Sequence, residues 1–140
     1  MIVEAELANY SDTLSVQTSR ENFSGTGYLS PLRDGDSLRA AFMIPSPQHY
    51  DLTICVCMDI TDREDSENFS VTNALLLNQQ KVGEFTITER KRFVRVTFPG
   101  IYLPAGQAEL SIQTIDGNIS LDYFEISSHT ELYALNYQNF

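Results

Sequence analysis

Tryptophan is absent from this chain of 140 residues, and basic residues are scarce, with 9 lysines and arginines against 19 aspartates and glutamates. The formal net charge of −10 repels phosphate backbones and anionic lipid surfaces, so we expect neither nucleic acid nor a membrane as a partner. No stretch approaches the roughly 20 apolar residues that span a bilayer, and the first residues do not resemble a signal peptide. The chain is therefore either cytoplasmic or a domain of a longer secreted protein.

Cysteine and histidine are also rare, with two of each. Cys55 and Cys57 are two residues apart, so on a strand they point to the same face and a mutual disulfide would be strained. His49 and His129 complete no zinc-ligand spacing with them. We interpret both cysteines as packed or surface thiols.

Motifs of catalysis are missing as well. Residues 24–27 (Ser-Gly-Thr-Gly) do not form a nucleophile elbow, and no glycine-rich loop opens a helix to bind phosphate. Acidic residues are plentiful, but no pair stands out for glycoside hydrolysis. The acidic segment 59–67 lacks the ligand spacing of an EF-hand loop, which favours a solvated surface segment. We expect no active site.

The sequence is rich in alternating apolar residues, the period of a β-strand. Leu52, Ile54 and Val56 share one face of a strand, and short turn signals such as Pro99-Gly100 separate the apolar runs. This pattern predicts an all-β fold, an antiparallel β-sandwich of the jelly-roll type. We expect residues 1–127 to form the sandwich and residues 128–140 to add a C-terminal extension or an edge strand. The predicted strands are residues 2–7, 37–44, 50–58, 69–77, 81–86, 92–98, 108–115 and 119–126.

Glu4 and Glu6 form the most informative polar pair. On a strand, both carboxylates would project from one face and repel each other, and a cation between them would remove that repulsion. Calcium prefers several such oxygens. The residues alone leave an exposed, solvated pair open as the alternative.

The order of several short motifs resembles the carbohydrate-binding modules of family 35 and their relatives in families 6 and 36. Each motif is short, and their common order along most of the chain carries the resemblance. The motifs occupy residues 3–6, 23–29, 36–42, 49–54, 77–80, 103–112 and 119–126.

The resemblance implies a non-catalytic module that binds a plant or microbial polysaccharide, or an oligosaccharide, for an attached glycan-active catalytic domain. It also implies an extracellular location, as part of a secreted protein. Glu4, Glu6 and Asp122 match the family's ligands for a structural calcium ion, with carbonyl ligands from residues 20–27.

The family's sugar sites combine a stacking aromatic ring with polar groups. The matching residues are Tyr28, Arg92, Phe93 and Asn118. The tryptophan that often supplies the ring is absent, and residues 90–93 (Arg-Lys-Arg-Phe) occupy its region. Tyr28 and Phe93 could instead belong to the core. The alternative function is a structural or protein-interaction sandwich that has lost the sugar site.

Overall fold

A computed structural model describes residues 1–20, 22–33, 35–58, 70–89 and 92–129. In these ranges the chain forms strands β1 to β11 and one 3-10 turn, Ala5–Leu7. No helix among the described residues is long and apolar enough to cross a membrane. The strands are β1 Ile2–Glu4, β2 Asn9–Tyr10, β3 Ser15–Gln17, β4 Tyr28–Leu32, β5 Leu38–Ile44, β6 Gln48–Met58, β7 Val71–Leu77, β8 Gln80–Ile87, β9 Val94–Leu103, β10 Gly106–Asp116 and β11 Ile119–Ser128.

The strands form two sheets. Sheet A has the order β3-β4-β11-β6-β9, and β1 also pairs with β11, while sheet B has the order β2-β5-β10-β7-β8. The strand pairs in both sheets are antiparallel. The predicted antiparallel jelly-roll sandwich is confirmed.

The core lies between the two sheets, because strands of both sheets bury alternate residues there. In β5 the side chains of Leu38, Ala40, Phe42 and Ile44 are buried while those between them are exposed. Sheet A contributes the matching inner positions of β6 and β11. Burying each large apolar side chain contributes about 1.5–3 kcal/mol, and this layer holds the sheets together.

β6 is buried on both faces over most of its length. Leu52, Ile54 and Val56 face the core, whereas Cys55 and Cys57 belong to a second apolar cluster on the other face of sheet A. Neither thiol is in a disulfide and both are buried, as the two-residue spacing on one strand predicts. Burial, followed by the nearby carboxylate of Asp122, raises the pKa of the Cys55 thiol to about 12.

The predicted strands from residue 37 onward are confirmed with shifted ends, as β5 to β11. The first predicted strand, residues 2–7, is too long, because β1 stops at Glu4 and the 3-10 turn follows. β2, β3 and β4 were not predicted, since they are short and β4 contains Ser30 and Pro31. The acidic segment 59–67, residues 90–91 and most of the predicted extension, residues 130–140, lie outside the described residues.

Candidate functional site

β11 changes its pairing partner at one residue, and this positions the candidate metal site. On one edge, β11 pairs with β4 as far as Leu121 and with β1 from Tyr123 onward. Asp122 lies between the two partners, where the pairing of β11 with β6 also shifts register. Glu4, the last residue of β1, is paired with Tyr123. The first and last of the described strands, β1 and β11, thus meet beside Asp122.

The structure brings the three predicted carboxylates together. One oxygen each from Glu4, Glu6 and Asp122 lies within 4.8 Å of the others. Asp122 is 1% exposed and Glu6 is 9% exposed. The predicted position of Glu6 on a strand is wrong, because Glu6 lies in the 3-10 turn. The turn nevertheless directs its carboxylate toward the same point.

The loop before β4 donates hydrogen bonds to all three carboxylates. The backbone N–H of Ser24 donates to Asp122 Oδ2 at 2.7 Å, and its hydroxyl donates to Glu4 Oε1 at 2.7 Å. The backbone N–H of Thr26 donates to Glu6 Oε2 at 3.0 Å. These bonds join the loop to β1, to the 3-10 turn and to β11.

Gly25 allows the loop to come this close. Its φ of +65° is a left-handed conformation that costs an L-residue about 1–2 kcal/mol. A Cβ at Gly25 would also stand 2.6 Å from Glu6 Oε2 and 3.1 Å from Glu4 Cδ. Both the backbone angle and the available space therefore require glycine.

Two carboxylate oxygens in this cluster are buried without a hydrogen-bond partner, Glu6 Oε1 and Asp122 Oδ1. Burial, with the nearby charges of Glu4 and Glu6, raises the pKa of Asp122 to about 6, although the hydrogen bonds from Ser24 oppose this shift. Unpartnered buried carboxylate oxygens are costly. The donor set is made of hard oxygens and fits calcium, which takes carboxylate ligands in irregular geometry.

The two predicted ligand rings, Tyr28 and Phe93, are 2% and 4% exposed. They contact each other with ring centroids 5.0 Å apart, and Phe23 packs against Tyr28 at 5.8 Å. The Tyr28 hydroxyl lies 3.0 Å from Ser19 Oγ, and the Asn22 side chain bonds the backbone N–H of Phe93 at 3.1 Å. In this arrangement the rings anchor the loop and present little surface to a ligand.

The other two predicted ligand residues lie at the surface. Arg92 is exposed beside Phe93, and Asn118 is half-buried in the turn between β10 and β11. Ile119 pairs with Leu32 at the end of β4, whereas Tyr28 begins that strand. Four residues separate these two ends of β4, a distance of about 13 Å along a strand. The role of all four residues in ligand binding stays a prediction.

The outer face of sheet A, turned away from sheet B, has two parts. The covered half contains Tyr28, Cys55, Cys57 and Phe93, and it is contacted by Ser19, Asn22 and Phe23 of the loop before β4. The open half carries mainly polar side chains that sequence reasoning did not select. Its main members are His49, Asp51, Arg95, Thr97, Tyr102, Glu125 and His129, and Thr53 is a buried outward position among them.

Hydrogen bonds and ring contacts fix several side chains of the open half. Tyr102 is paired with His49 across the strands, with ring centroids 5.5 Å apart at 68°. Asp51 Oδ1 accepts a hydrogen bond from Gly100 N at 3.0 Å and lies 2.7 Å from His129 Nδ1. The polar outer positions of β6 and β9 were the available sequence signal for this surface, because they alternate with apolar ones.

Arg95 connects the two halves. Its guanidinium donates to the Tyr123 hydroxyl at 2.7 Å and pairs with Glu125 Oε1 at 2.8 Å. It also lies 5.9 Å from the centre of the Tyr123 ring. The positive charge of Arg95 is thereby balanced by Glu125 within the same surface.

No protein-family model matches the chain. The chain is 28% identical over 125 residues to mannan endo-1,4-beta-mannosidase B of Piromyces sp., which covers 89% of this chain and 20% of that protein. The chain thus spans about a fifth of the length of the mannosidases that it matches.

Solved structures share the fold. A GH26-CBM35 β-(1,4)-mannanase of Podospora anserina superposes with a TM-score of 0.78 at 21% identity, covering 93% of this chain and 28% of that one. A family 35 carbohydrate-binding module of Clostridium thermocellum gives 0.72 at 18% identity, covering 91% and 97%. A CBM36 in complex with calcium and xylotriose gives 0.67 at 18%, covering 91% and 99%. The predicted resemblance is confirmed at the level of the fold.

Proposed function

We propose that this domain is a non-catalytic carbohydrate-binding module that holds an attached glycan-active catalytic domain near its polysaccharide. The observation that carries the proposal is the fold, which matches a family 35 module over nearly the whole of both chains. Two sequence relatives are mannan endo-1,4-beta-mannosidases, of which the chain covers about a fifth, and the ligand class we propose is therefore a β-1,4-mannan. Tethering raises the effective concentration of the enzyme at its substrate, so a modest affinity suffices.

Calcium at Glu4, Glu6 and Asp122 belongs to this proposal. The two unpartnered oxygens, Glu6 Oε1 and Asp122 Oδ1, support it, because a cation would satisfy both. When bound, the ion supplies positive charge that offsets the repulsion among three carboxylates. Its role would be structural, since it would join the first and last strands to the loop that contains Ser24.

Such a polysaccharide is met outside the cell, so the domain would belong to a secreted protein. Two cysteines outside a disulfide are compatible with an oxidising environment when they are buried. Cys55 and Cys57 are both buried, and the pKa of Cys55 is raised to about 12. Little of the Cys55 thiolate forms near neutral pH, and the thiolate is the reactive species.

The second candidate is a structural or protein-interaction sandwich. One observation favours it: Tyr28 and Phe93, the rings predicted to stack on sugar, are buried, and the chain has no tryptophan to replace them. A module without a stacking ring would retain the fold and the metal site but bind no glycan.

Affinity electrophoresis of the full chain in gels containing mannan, xylan or a β-glucan separates the two candidates. We expect retardation in the mannan gel with calcium present, and weaker retardation with EDTA because the folded domain that binds the polysaccharide loses stability without the ion. The control is the same gel without polysaccharide. Unchanged mobility in every gel with calcium present would reject the carbohydrate-binding role and favour the second candidate.

A further inference from the structure

We propose that the open half of the outer face of sheet A is a glycan-binding surface, with Tyr102 as the ring on which a sugar stacks. This inference rests on the proposed function, since it names the surface of the same domain that would meet the polysaccharide. It places the sugar away from Tyr28 and Phe93, which are buried. The occupant is a neutral, extended chain of pyranose units.

Tyr102 has the accessibility that stacking requires. It is 55% exposed, whereas Tyr28 is 2% exposed. Its contact with His49 is edge-to-face, at 68° between the ring planes, and such a contact covers at most one face of the tyrosine. The contact also limits rotation of the ring, so less side-chain entropy is lost when a ligand binds.

Polar groups oriented by the protein stand next to this ring. Asp51 and His129 are half-buried and hold each other through Asp51 Oδ1 and His129 Nδ1, 2.7 Å apart. Gly100 brings no side chain over the second histidine nitrogen, since a Cβ there would stand 3.9 Å from Nε2. A fixed imidazole edge and a carboxylate can donate to and accept from sugar hydroxyls.

The charge and the length of the surface select the occupant. Arg95 is paired with Glu125 at 2.8 Å, so the part of this surface that the structure describes offers no free positive cluster for an anionic polymer near its centre. Cys55 pairs with Arg95, and His49 pairs with Tyr102. These two residue pairs are six steps apart along β6, which is about 20 Å and exceeds the span of one sugar ring. A neutral chain of several units fits better than a single monosaccharide.

The test is isothermal titration of the full chain with mannohexaose in excess calcium, comparing Tyr102→Ala, Tyr102→Phe and Tyr10→Ala. Tyr10 is the matched control, because it is 36% exposed but lies on β2 of sheet B. Loss of a central aromatic contact should weaken binding roughly tenfold or more for Tyr102→Ala. Tyr102→Phe keeps the ring and should stay near wild type, as should Tyr10→Ala. Melting curves are the check that each variant is folded.

The outcomes separate this inference from the proposed function. If Tyr102→Ala binds mannohexaose with wild-type affinity, the open half is not the binding surface, and the proposed function still stands. Arg92→Ala and Asn118→Ala then test the predicted alternative site, and a loss in those variants alone assigns the sugar there. If the wild-type chain binds neither mannohexaose nor any polysaccharide in the gels, the proposed function fails and this surface fails with it.

Discussion

The covered and open halves of the outer face of sheet A belong to the same strands but have opposite surface chemistry. In the covered half, an outward position of β6 holds Cys57 and Phe93 directly precedes β9, and Asn22 and Phe23 of the loop contact this cluster. Further along the same two strands, outward positions hold Asp51 and Tyr102, and the loop no longer reaches them. The change from apolar to polar outward residues marks where the cover ends.

This difference shows that one strand can serve two surfaces. The long apolar run in β6 arises because its inner positions join the core while outer Cys55 and Cys57 join the cluster under the loop. The loop is fixed at one end by Glu4, Glu6 and Asp122 and at the other by the aromatic rings. The covered half would thus contribute stability, and the open half would be left for a ligand.

The largest expected effect sharpens this contrast in stability. Tyr28→Ala should lower the free energy of unfolding by about 3–5 kcal/mol, because it removes a buried ring and leaves a cavity. Tyr102→Ala should change it by about 0.5 kcal/mol or less, because that ring is mostly in water. Urea denaturation measures the free energy of unfolding of both variants, and an unchanged m-value shows that the change is one of stability.

Equal losses of stability in Tyr28→Ala and Tyr102→Ala would contradict the difference between the covered and the open half. If Tyr28→Ala were as stable as Tyr102→Ala, the loop would not depend on the buried rings. If Tyr102→Ala were as damaging as Tyr28→Ala, Tyr102 would be part of the folded core and not of a ligand surface.

Calcium is expected to give the next largest effect on stability, because it would join the loop of the covered half to β1 and β11. An ion that binds only the folded state adds about 2.7 kcal/mol when free calcium is 100 times its dissociation constant. The melting temperature should fall in EDTA and recover with calcium, but poorly with magnesium, which demands tighter octahedral geometry. Asp122→Ala should abolish this response.

Asp116→Asn is the matched control for the calcium response, because Asp116 is an exposed carboxylate on β10 of the other sheet. It should respond to calcium like wild type. The calcium assignment has to be abandoned if chelation leaves the wild-type melting curve unchanged, or if Asp122→Ala still responds fully.

The sequence predicted the sandwich because its strands alternate clearly between apolar and polar residues. It also predicted the meeting of Glu4 and Asp122, through the family resemblance that aligns the first and last strands. It did not predict the 3-10 turn that holds Glu6, since the orientation of that carboxylate depends on N–H groups of Thr26 and Gly27, 20 and 21 residues away. A two-residue spacing contains no information about such a distant partner.

The burial of Tyr28 and Phe93 was equally out of reach from local patterns. Whether an outward aromatic residue is exposed depends on which loop crosses it, and residues 18–27 have no strand or helix periodicity. β4 was missed for a related reason, because Ser30 and Pro31 interrupt its apolar pattern. Tyr102 was overlooked because the sequence does not show that the described residues leave its part of the sheet uncovered.

The smallest expected effect comes from the protonation of Asp122 in the metal-free protein. Its pKa is about 6 in the folded state against an ordinary value of 3.8, so between these values the folded state holds a proton that the unfolded state has released. The stability that this carboxyl contributes is therefore complete below pH 3.8 and is lost as pH rises through 6. From about pH 5 to pH 7 in EDTA, the loss should be about 1 kcal/mol. Asp122→Asn cannot ionise and should lack this decline, whereas Asp116→Asn should keep it.

With calcium the trend of the wild type reverses, because the ion binds the carboxylate form and its stabilising effect grows as pH passes 6. Melting curves across this range in EDTA and in calcium measure both slopes, and identical slopes for wild type and Asp122→Asn in EDTA would contradict a burial-raised pKa at this residue.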